Sequence, residues 1–376
     1  MQKALLSLAA LLAAISGFAQ GGNTRDGGPD GDYRSVYELV SNQQKKNDGF
    51  NLYLNFAGAF VENFTPQSSL FRARDLRLEI KGSFGDHLSY RLRHRLNRAW
   101  WSDGQADNFS KATDIMMLGW KFNDHWQINM GKMCQIWGGF EYDENPMFIY
   151  QYSDLVDNMD IFMTGAMVSW HPVPSQELAV MVTNSHTTQP QYRGYELSAH
   201  PFTYILNWNA SFGGGILQLR WAGGAQTEAK GQYSFMATLG QKLSLKKFQV
   251  YVDYMGEFDQ LDRLGIVYRD LGIQSGVQYH SIIGKADWQF APRWNLMGKG
   301  MYEIATVSGN PMLRNYRRSI GWVGCLEFYP WDQQNLRFFL AYIGRNHNFT
   351  RASGAAANNG TFHRLELGFM YRIKAY

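Results

Sequence analysis

Apolar and charged side chains alternate with a period of two along most of this sequence, and this pattern restricts the possible folds more than any other feature. The alternation is clearest over residues 76–81, 88–96 and 364–373. Successive side chains of a β-strand point to opposite faces, so each such stretch has one apolar face and one charged face. A strand of this kind needs water on one side and apolar matter on the other. The pattern therefore predicts a β-sheet between an aqueous and an apolar phase.

The composition fits such a sheet and argues against other classes. After the N-terminal residues, no stretch of 18 apolar residues follows that could form a membrane helix. Aromatic residues make up 15% of the 376 residues, yet the mean hydropathy is −0.35. Strands that alternate between lipid and water produce this combination. The 36 basic and 32 acidic residues are nearly balanced, so nothing points to nucleic acid as a partner.

The alternating segments predict about sixteen strands. We place them at 50–61, 71–84, 88–100, 112–122, 125–133, 163–171, 176–184, 202–209, 214–223, 231–242, 246–257, 275–290, 293–306, 316–329, 335–345 and 361–374. Seven short turns alternate with eight longer loops. The long loops are 62–70, 101–111, 134–162, 185–201, 224–230, 258–274, 307–315 and 346–360. This arrangement is typical of an outer-membrane antiparallel β-barrel with short periplasmic turns and long external loops. In lipid the sheet must close, because every backbone donor needs a partner.

The register of the second and third strands can be predicted from the turn at 85–87. The expected pairs are Ile80 with Leu92, Leu76 with Leu96, Glu79 with Arg93 and Arg77 with Arg95. A slip of one residue would mix the charged and apolar faces. This register places His94 on the lipid side, where either a subunit interface or partial burial of a neutral imidazole would accommodate it.

The chain divides into three predicted parts. Residues 1–19 have the basic start, apolar run and small residues of a secretory signal peptide. Residues 20–49 form a periplasmic leader, in which 33–46 suggests a short helix, a stub of a trimeric coiled coil or an unstructured segment. Residues 50–376 form the barrel. Cys134 and Cys325 lie on strands that are far apart in a barrel, so we expect free thiols.

Several segments resemble a known family. They are 126–132, which runs into 140–146, the entry to the first strand at 47–56, and the closing strand with Glu366, Gly368, Tyr371, Ile373 and the aromatic Tyr376. Together they resemble the phosphate-selective porin O/P family of outer-membrane porins, Bacteroidetes type. The resemblance implies sixteen-stranded homotrimers in outer-membrane lipid and lipopolysaccharide, assembled by barrel-assembly machinery that reads the C-terminal strand. It also implies passage of small anions or other small solutes and ions by diffusion. We expect no cofactor and no metal.

The third long loop, 134–162, is acidic and rich in aromatic residues. In porins the corresponding loop folds into the barrel and narrows it, and six aromatic side chains here need burial. The predicted constriction-loop acids are Glu141, Asp143, Glu144, Asp154, Asp157 and Asp160. An exposed, solvated acidic loop over the mouth is the alternative.

A basic strip is predicted on the lumenal face of the second and third strands. Its residues are Arg77, Lys81, Arg91, Arg93 and Arg95. Facing an acidic loop, the strip would create a transverse field that orients polar solutes. An ordinary polar lumenal face would give the same residues without that role. The alternation also places five other arginines on the lumenal face of their strands: Arg220, Arg317, Arg337, Arg364 and Arg372.

We therefore predict a porin for passive diffusion of small polar solutes and ions. The alternative is an anion- or phosphate-selective channel with a specific site, although the loop lacks the basic residues that family would supply there. A hydrolase embedded in a barrel would need a histidine near a nucleophile. The sequence has no Gly-x-Ser-x-Gly motif and no histidine pair at metal-binding spacing, so we do not expect an enzyme. A secreted sugar-binding β-protein would lack the lipid-facing stripes.

Overall fold

A closed antiparallel barrel dominates the computed structural model, which describes residues 33–41, 49–99, 107–185, 190–332 and 334–376. The sixteen strands of these residues are β1 Asn51–Phe64, β2 Gln67–Phe84, β3 Leu88–Arg95, β4 Thr113–Lys121, β5 Trp126–Cys134, β6 Phe162–Val173, β7 Gln176–Asn184, β8 Phe202–Phe212, β9 Leu217–Ala229, β10 Gln232–Leu245, β11 Phe248–Leu261, β12 Ser275–Ala291, β13 Trp294–Val307, β14 Arg317–Phe328, β15 Asn335–Phe349 and β16 Gly360–Lys374. The α-helices of the same residues are α1 Val36–Ser41, α2 Phe140–Asp143, α3 Asp154–Asp157 and α4 Ile266–Leu271. Within the described ranges, no helix has the length and apolar character needed to cross a membrane.

Each strand pairs with its neighbours in sequence, and β1 closes the sheet against β16. Each of the sixteen predicted strands overlaps one observed strand, so the predicted fold class is confirmed. Closure satisfies the backbone donors and acceptors along both edges that an open sheet would expose.

The two faces of the wall differ as the alternation predicts. On β1 and β16 the inward-facing Asn55 and Arg372 are almost fully buried, while the outward-facing Phe56 and Leu367 are 42% and 58% exposed. The register predicted for β2 and β3 is confirmed. Ile80 lies opposite Leu92, Glu79 opposite Arg93 and Arg77 opposite Arg95, and the Leu96 N–H donates to the Leu76 carbonyl over 2.9 Å.

Two predicted long loops are wrong. At 62–70 the strands β1 and β2 continue through the predicted loop, and only Thr65 and Pro66 connect them. At 224–230 the same holds for β9 and β10, which Lys230 and Gly231 connect. Residues in the first of these stretches pair across the hairpin, as Val61 does with Leu70. Gly231 has φ +71, which a tight two-residue hairpin turn requires. The polar residues that suggested loops are therefore the ends of hairpins.

Both cysteines are free, as predicted. The signal peptide predicted at 1–19 lies outside the described residues, as do 20–32 and 42–48 of the predicted leader. Helix α1 lies within the segment where a short helix was predicted. It contacts the last residues of the chain: the Tyr37 N–H donates to the Ala375 carbonyl over 3.1 Å, and the rings of Tyr37 and Tyr376 are 4.9 Å apart.

Candidate functional site

The segment 135–161 leaves β5, forms α2 and α3, and returns to β6. Its backbone is bound by carboxylates of strands on a different part of the wall. The Phe140 N–H donates to Asp253 Oδ2 of β11 over 2.8 Å, and the Asp154 N–H donates to Glu303 Oε2 of β13 over 2.9 Å. Both carboxylates belong to the inward-facing set of buried strand residues. The segment thus lies against the inward-facing side chains of β11 and β13.

Aromatic side chains of this segment are mostly buried. Trp137, Phe140, Tyr142 and Tyr150 join one apolar cluster with inward-facing residues of several strands. The ring centres of Tyr150 and Phe339 of β15 are 4.9 Å apart and the rings meet edge to face at 65°, which is a favourable arrangement of aromatic quadrupoles. Apolar packing and hydrogen bonds to carboxylates therefore both hold segment 135–161 against the inward-facing side chains.

Ion pairs connect the first acidic residues of the segment to lysines of β12 and β13. Glu141 pairs with Lys299, and both side chains are at most 3% exposed. The Ser153 N–H also donates to Glu141 Oε1 over 2.8 Å. Glu144 pairs with Lys285. A buried charge needs such partners, because an isolated one carries a large desolvation penalty.

The later acidic residues pair with arginines. Asp154 Oδ2 lies 2.6 Å from the Arg317 guanidinium, and Asp154 also pairs with Arg345. Asp143 Oδ2 lies 3.4 Å from Arg220, and both side chains are 35% exposed.

Asp157 and Asp160 complete the predicted acidic set, and both are exposed. No group of three or more His, Cys, Asp or Glu side chains that could hold a metal ion occurs within the described ranges.

The predicted basic strip lies on the inward faces of β2 and β3, as expected from the register. Its arginines share a buried carboxylate of β4. Asp114 lies 3.5 Å from Arg77, 3.3 Å from Arg93 and 2.8 Å from Arg95. Asp114 is 1% exposed. Alternation alone would turn it outward with Met116 and Leu118, which are 51% and 58% exposed. A register shift between β3 and β4 at Arg93 and His94 leaves Asp114 out of the strand pairing, and its carboxylate meets the arginines instead.

The members of the basic strip differ in their access to water. The side chains of Arg77 and Arg93 are only 8% and 7% exposed, whereas that of Arg91 is 37% exposed. Arg91 Nε lies 2.7 Å from Glu79 Oε1. Lys81 Nζ lies 5.5 Å from the centre of the Tyr53 ring.

The structure therefore places the two predicted charge sets in different ion-pair networks. The basic strip pairs with Asp114 and Glu79 of its own part of the wall. The acidic segment pairs with basic residues of β9 and β12 to β15: Arg220, Lys285, Lys299, Arg317 and Arg345. The sequence predicted that Arg220 and Arg317 face the lumen, but it did not identify Lys285, Lys299 or Arg345. The alternation of each strand could have placed these three side chains on the inward face, but it could not have predicted their ion-pair partners.

Comparisons with known proteins support the barrel architecture. The sequence profile of the family described as Phosphate-selective porin O and P matches residues 50–373. The structure is similar to the outer membrane channel DcaP of Acinetobacter baumannii, with a TM-score of 0.62, 9% identity, and coverage of 88% of this chain and 99% of that chain. It is also similar to outer-membrane expressed OmpT of Vibrio cholerae, with a TM-score of 0.56, 11% identity, and coverage of 88% and 99%.

A third similar structure is an anion-selective porin from Comamonas acidovorans, with a TM-score of 0.56, 9% identity, and coverage of 86% of this chain and 99% of that chain. At these identities the likenesses show a shared fold. Among curated protein sequences, none matches this chain significantly.

Proposed function

Because the chain belongs to the phosphate-selective porin O and P family, we propose that it lets small polar solutes and ions diffuse passively through a water-filled pore. The family and the closed barrel identify an outer-membrane channel protein, so the proposal concerns what passes and how. The observation that carries it is the attachment of segment 135–161 to inward-facing side chains of β11 and β13. A segment that starts and ends at β5 and β6 reaches those strands by crossing the barrel interior, which would narrow the pore without sealing it.

The proposed constriction is held in a fixed position. Buried ion pairs attach the segment to strands other than β5 and β6, which it connects. Glu141 pairs with Lys299 of β13, and Asp154 pairs with Arg317 of β14. Loss of one partner of a buried pair costs about 3–5 kcal/mol, because the other charge is left uncompensated. The constriction is therefore a static narrowing and not a mobile gate.

Side chains of both signs lie where water can reach them, which supports weak ion selectivity. Arg91, Arg220 and Asp143 are about one third exposed, while Glu177 and Asp287 are partly exposed. Charges of opposite sign on different parts of a narrow wall orient a polar solute, and they penalise apolar solutes because bound water must be displaced. Neither anions nor cations gain a large advantage from such a lining.

The second candidate is an anion- or phosphate-selective channel with a specific site. Five basic residues on the adjacent strands β2 and β3 favour it. Two observations make it the weaker candidate. Arg77 and Arg93 are buried and share Asp114, and the segment proposed to narrow the pore carries carboxylates where a phosphate site needs cations.

We further propose that the chain assembles as a homotrimer in outer-membrane lipid and lipopolysaccharide, with β16 presented to the barrel-assembly machinery. One of the similar structures, OmpT of Vibrio cholerae, is described as a trimer form. Closed homo-oligomers of cyclic symmetry are common among oligomeric proteins.

Single-channel recording of the purified protein in a planar bilayer tests the proposal. We expect stepwise openings in KCl, conductance that rises with salt concentration, and passage of small neutral sugars. Chloride current should be unaffected by micromolar phosphate. Absence of conductance steps from a protein that shows the slow, heat-dependent unfolding of a closed barrel would contradict the pore. Block by micromolar phosphate would instead establish the second candidate.

A further inference from the structure

The outward face of the strands carries few charged or titratable side chains, and nearly all of them have a partner within the chain. Lys132 lies 3.7 Å from Asp107, and the Ser69 hydroxyl donates to the Glu62 carboxylate. Each of the outward-facing histidines has a hydroxyl partner: His94 with Thr113, His280 with Tyr254 and His363 with Tyr342. These contacts are expected, because a polar group that faces lipid without a partner is costly.

Arg318 is the exception. It is the second residue of β14, and the alternation turns it outward while its neighbours Arg317 and Ser319 face inward and are buried. Arg318 is exposed. Within the part of the chain that the structure describes, its guanidinium makes no hydrogen bond, ion pair or ring contact. Asp270 of α4 pairs with the inward-facing Arg317 over 3.0 Å.

Two more exposed arginines lie in the loops beside Arg318. The Thr350 N–H donates to the Tyr316 carbonyl over 2.8 Å, which holds the start of the β15–β16 loop against the end of the β13–β14 loop. Arg351 follows Thr350, and Arg314 precedes Tyr316 by two residues. Both side chains are exposed, and neither has a partner among the described residues. Arg314, Arg318 and Arg351 thus belong to adjoining segments at one end of the barrel wall, and all three side chains are exposed.

The wall directly below this position is apolar. Ile320, the next outward-facing residue of β14, is 50% exposed, and Tyr302, which lies opposite it on β13, is 40% exposed. The loops 308–316 and 350–359 are on the long-loop, external side of the barrel. The surface therefore changes from apolar to cationic where the acyl chains of the outer leaflet meet their head groups. An arginine at that depth is far less costly than one at the bilayer midplane.

We propose that Arg318, together with Arg314 and Arg351, binds a phosphate of an anionic lipid head group in the outer leaflet. A planar guanidinium donates two parallel hydrogen bonds to phosphate oxygens. The acyl chains of the same lipid cover Ile320 and Tyr302. The partner is a lipid and not a soluble anion, because Arg318 faces away from the pore and has an apolar surface beneath it.

Lipid retention by the purified protein tests this site. Wild type and Arg318→Gln are reconstituted in nanodiscs with lipid A, which carries phosphates, or with the same lipid after dephosphorylation. The protein is re-extracted, and the retained glycolipid per barrel is measured by native mass spectrometry. We expect wild type to retain the phosphorylated form preferentially. Arg318→Gln should weaken that retention roughly tenfold, the loss of about 1.4 kcal/mol expected for one charge-assisted contact.

Arg193→Gln is the matched control, because Arg193 is also an exposed arginine of an external loop without a side-chain partner among the described residues. It should retain lipid like wild type, and Arg318→Lys should give an intermediate result because the charge remains but the bidentate geometry is lost. Millimolar inorganic phosphate should not displace the lipid. Heat-dependent gel migration verifies folding of each variant.

Equal retention by wild type and Arg318→Gln would overturn the site, as would an equal loss in Arg193→Gln. Displacement by inorganic phosphate would show a soluble-anion site instead. Loss of the trimer in Arg318→Gln, with lipid retention per barrel unchanged, would show that the arginine contacts a second copy of the chain.

Discussion

Neutralisation of Arg91 is the most direct test of the charge arrangement in the pore. Among the arginines of the basic strip it combines the inward orientation with the most exposed side chain, 37%. Its partner Glu79 keeps a second guanidinium when Arg91 is removed, because Arg372 lies 2.9 Å from the other carboxylate oxygen. Arg91→Gln should therefore remove one positive charge from the lining without leaving a buried carboxylate unpaired.

The expected size of the effect follows from Coulomb's law. A unit charge about 4 Å from a passing ion contributes about 1 kcal/mol in water, and about 1.4 kcal/mol corresponds to a tenfold change in an equilibrium constant. Screening by salt reduces this value. We expect the chloride-to-potassium permeability ratio to fall roughly two- to fivefold. In bilayer recordings across a KCl gradient, the zero-current potential should move towards cation preference. Asp143→Asn should move it in the opposite direction.

The triple substitution of Arg91, Arg93 and Arg95 by Gln should shift the potential further in the same direction as Arg91→Gln. The increment should be smaller than two further exposed charges would give, since the other two side chains are more buried and share Asp114. Arg193→Gln, in an external loop, controls for a general change in net charge. An unchanged zero-current potential in a well-folded Arg91→Gln channel would refute the assignment of this side chain to the pore lining.

Three other predictions concern the constriction and the barrel. Deletion of residues 140–158 should raise single-channel conductance and admit larger sugars, because it removes the segment proposed to cross the pore; unchanged conductance in a folded deletion would place the segment elsewhere. Glu141→Gln should leave Lys299 without its charged partner and destabilise the segment by about 3 kcal/mol, which current traces would report as an unsteady open level. The double substitution Glu141→Gln with Lys299→Met should restore a steady level, and a quiet trace in the single variant would contradict the static constriction. Detergent-gel migration should change on boiling, with a trimer band in unheated samples; identical migration would contradict the closed barrel, and a monomer band alone would remove the trimer.

Strand number, strand order and side-chain orientation were predictable because they depend on local sequence. The period of two assigns each side chain to a face, so the register of Glu79 with Arg93 and the inward orientation of Arg220 and Arg317 followed from the pattern. The hairpins at Thr65 and Lys230 were missed because polar residues occur in the protruding ends of strands as well as in loops. Local composition does not distinguish these two cases.

The ion-pair partners were determined only by the tertiary structure. The height of a residue in a barrel depends on strand stagger and tilt, which accumulate around the closed sheet. Sequence alone could therefore identify an acidic segment and a basic strip, but not that Asp114 lies between the arginines of that strip. Nor could it show that Glu141 reaches Lys299, 158 positions away. Alternation fixes the face of a side chain through the geometry of a single strand, whereas closure of the barrel brings distant side chains to the same height and so selects their partners.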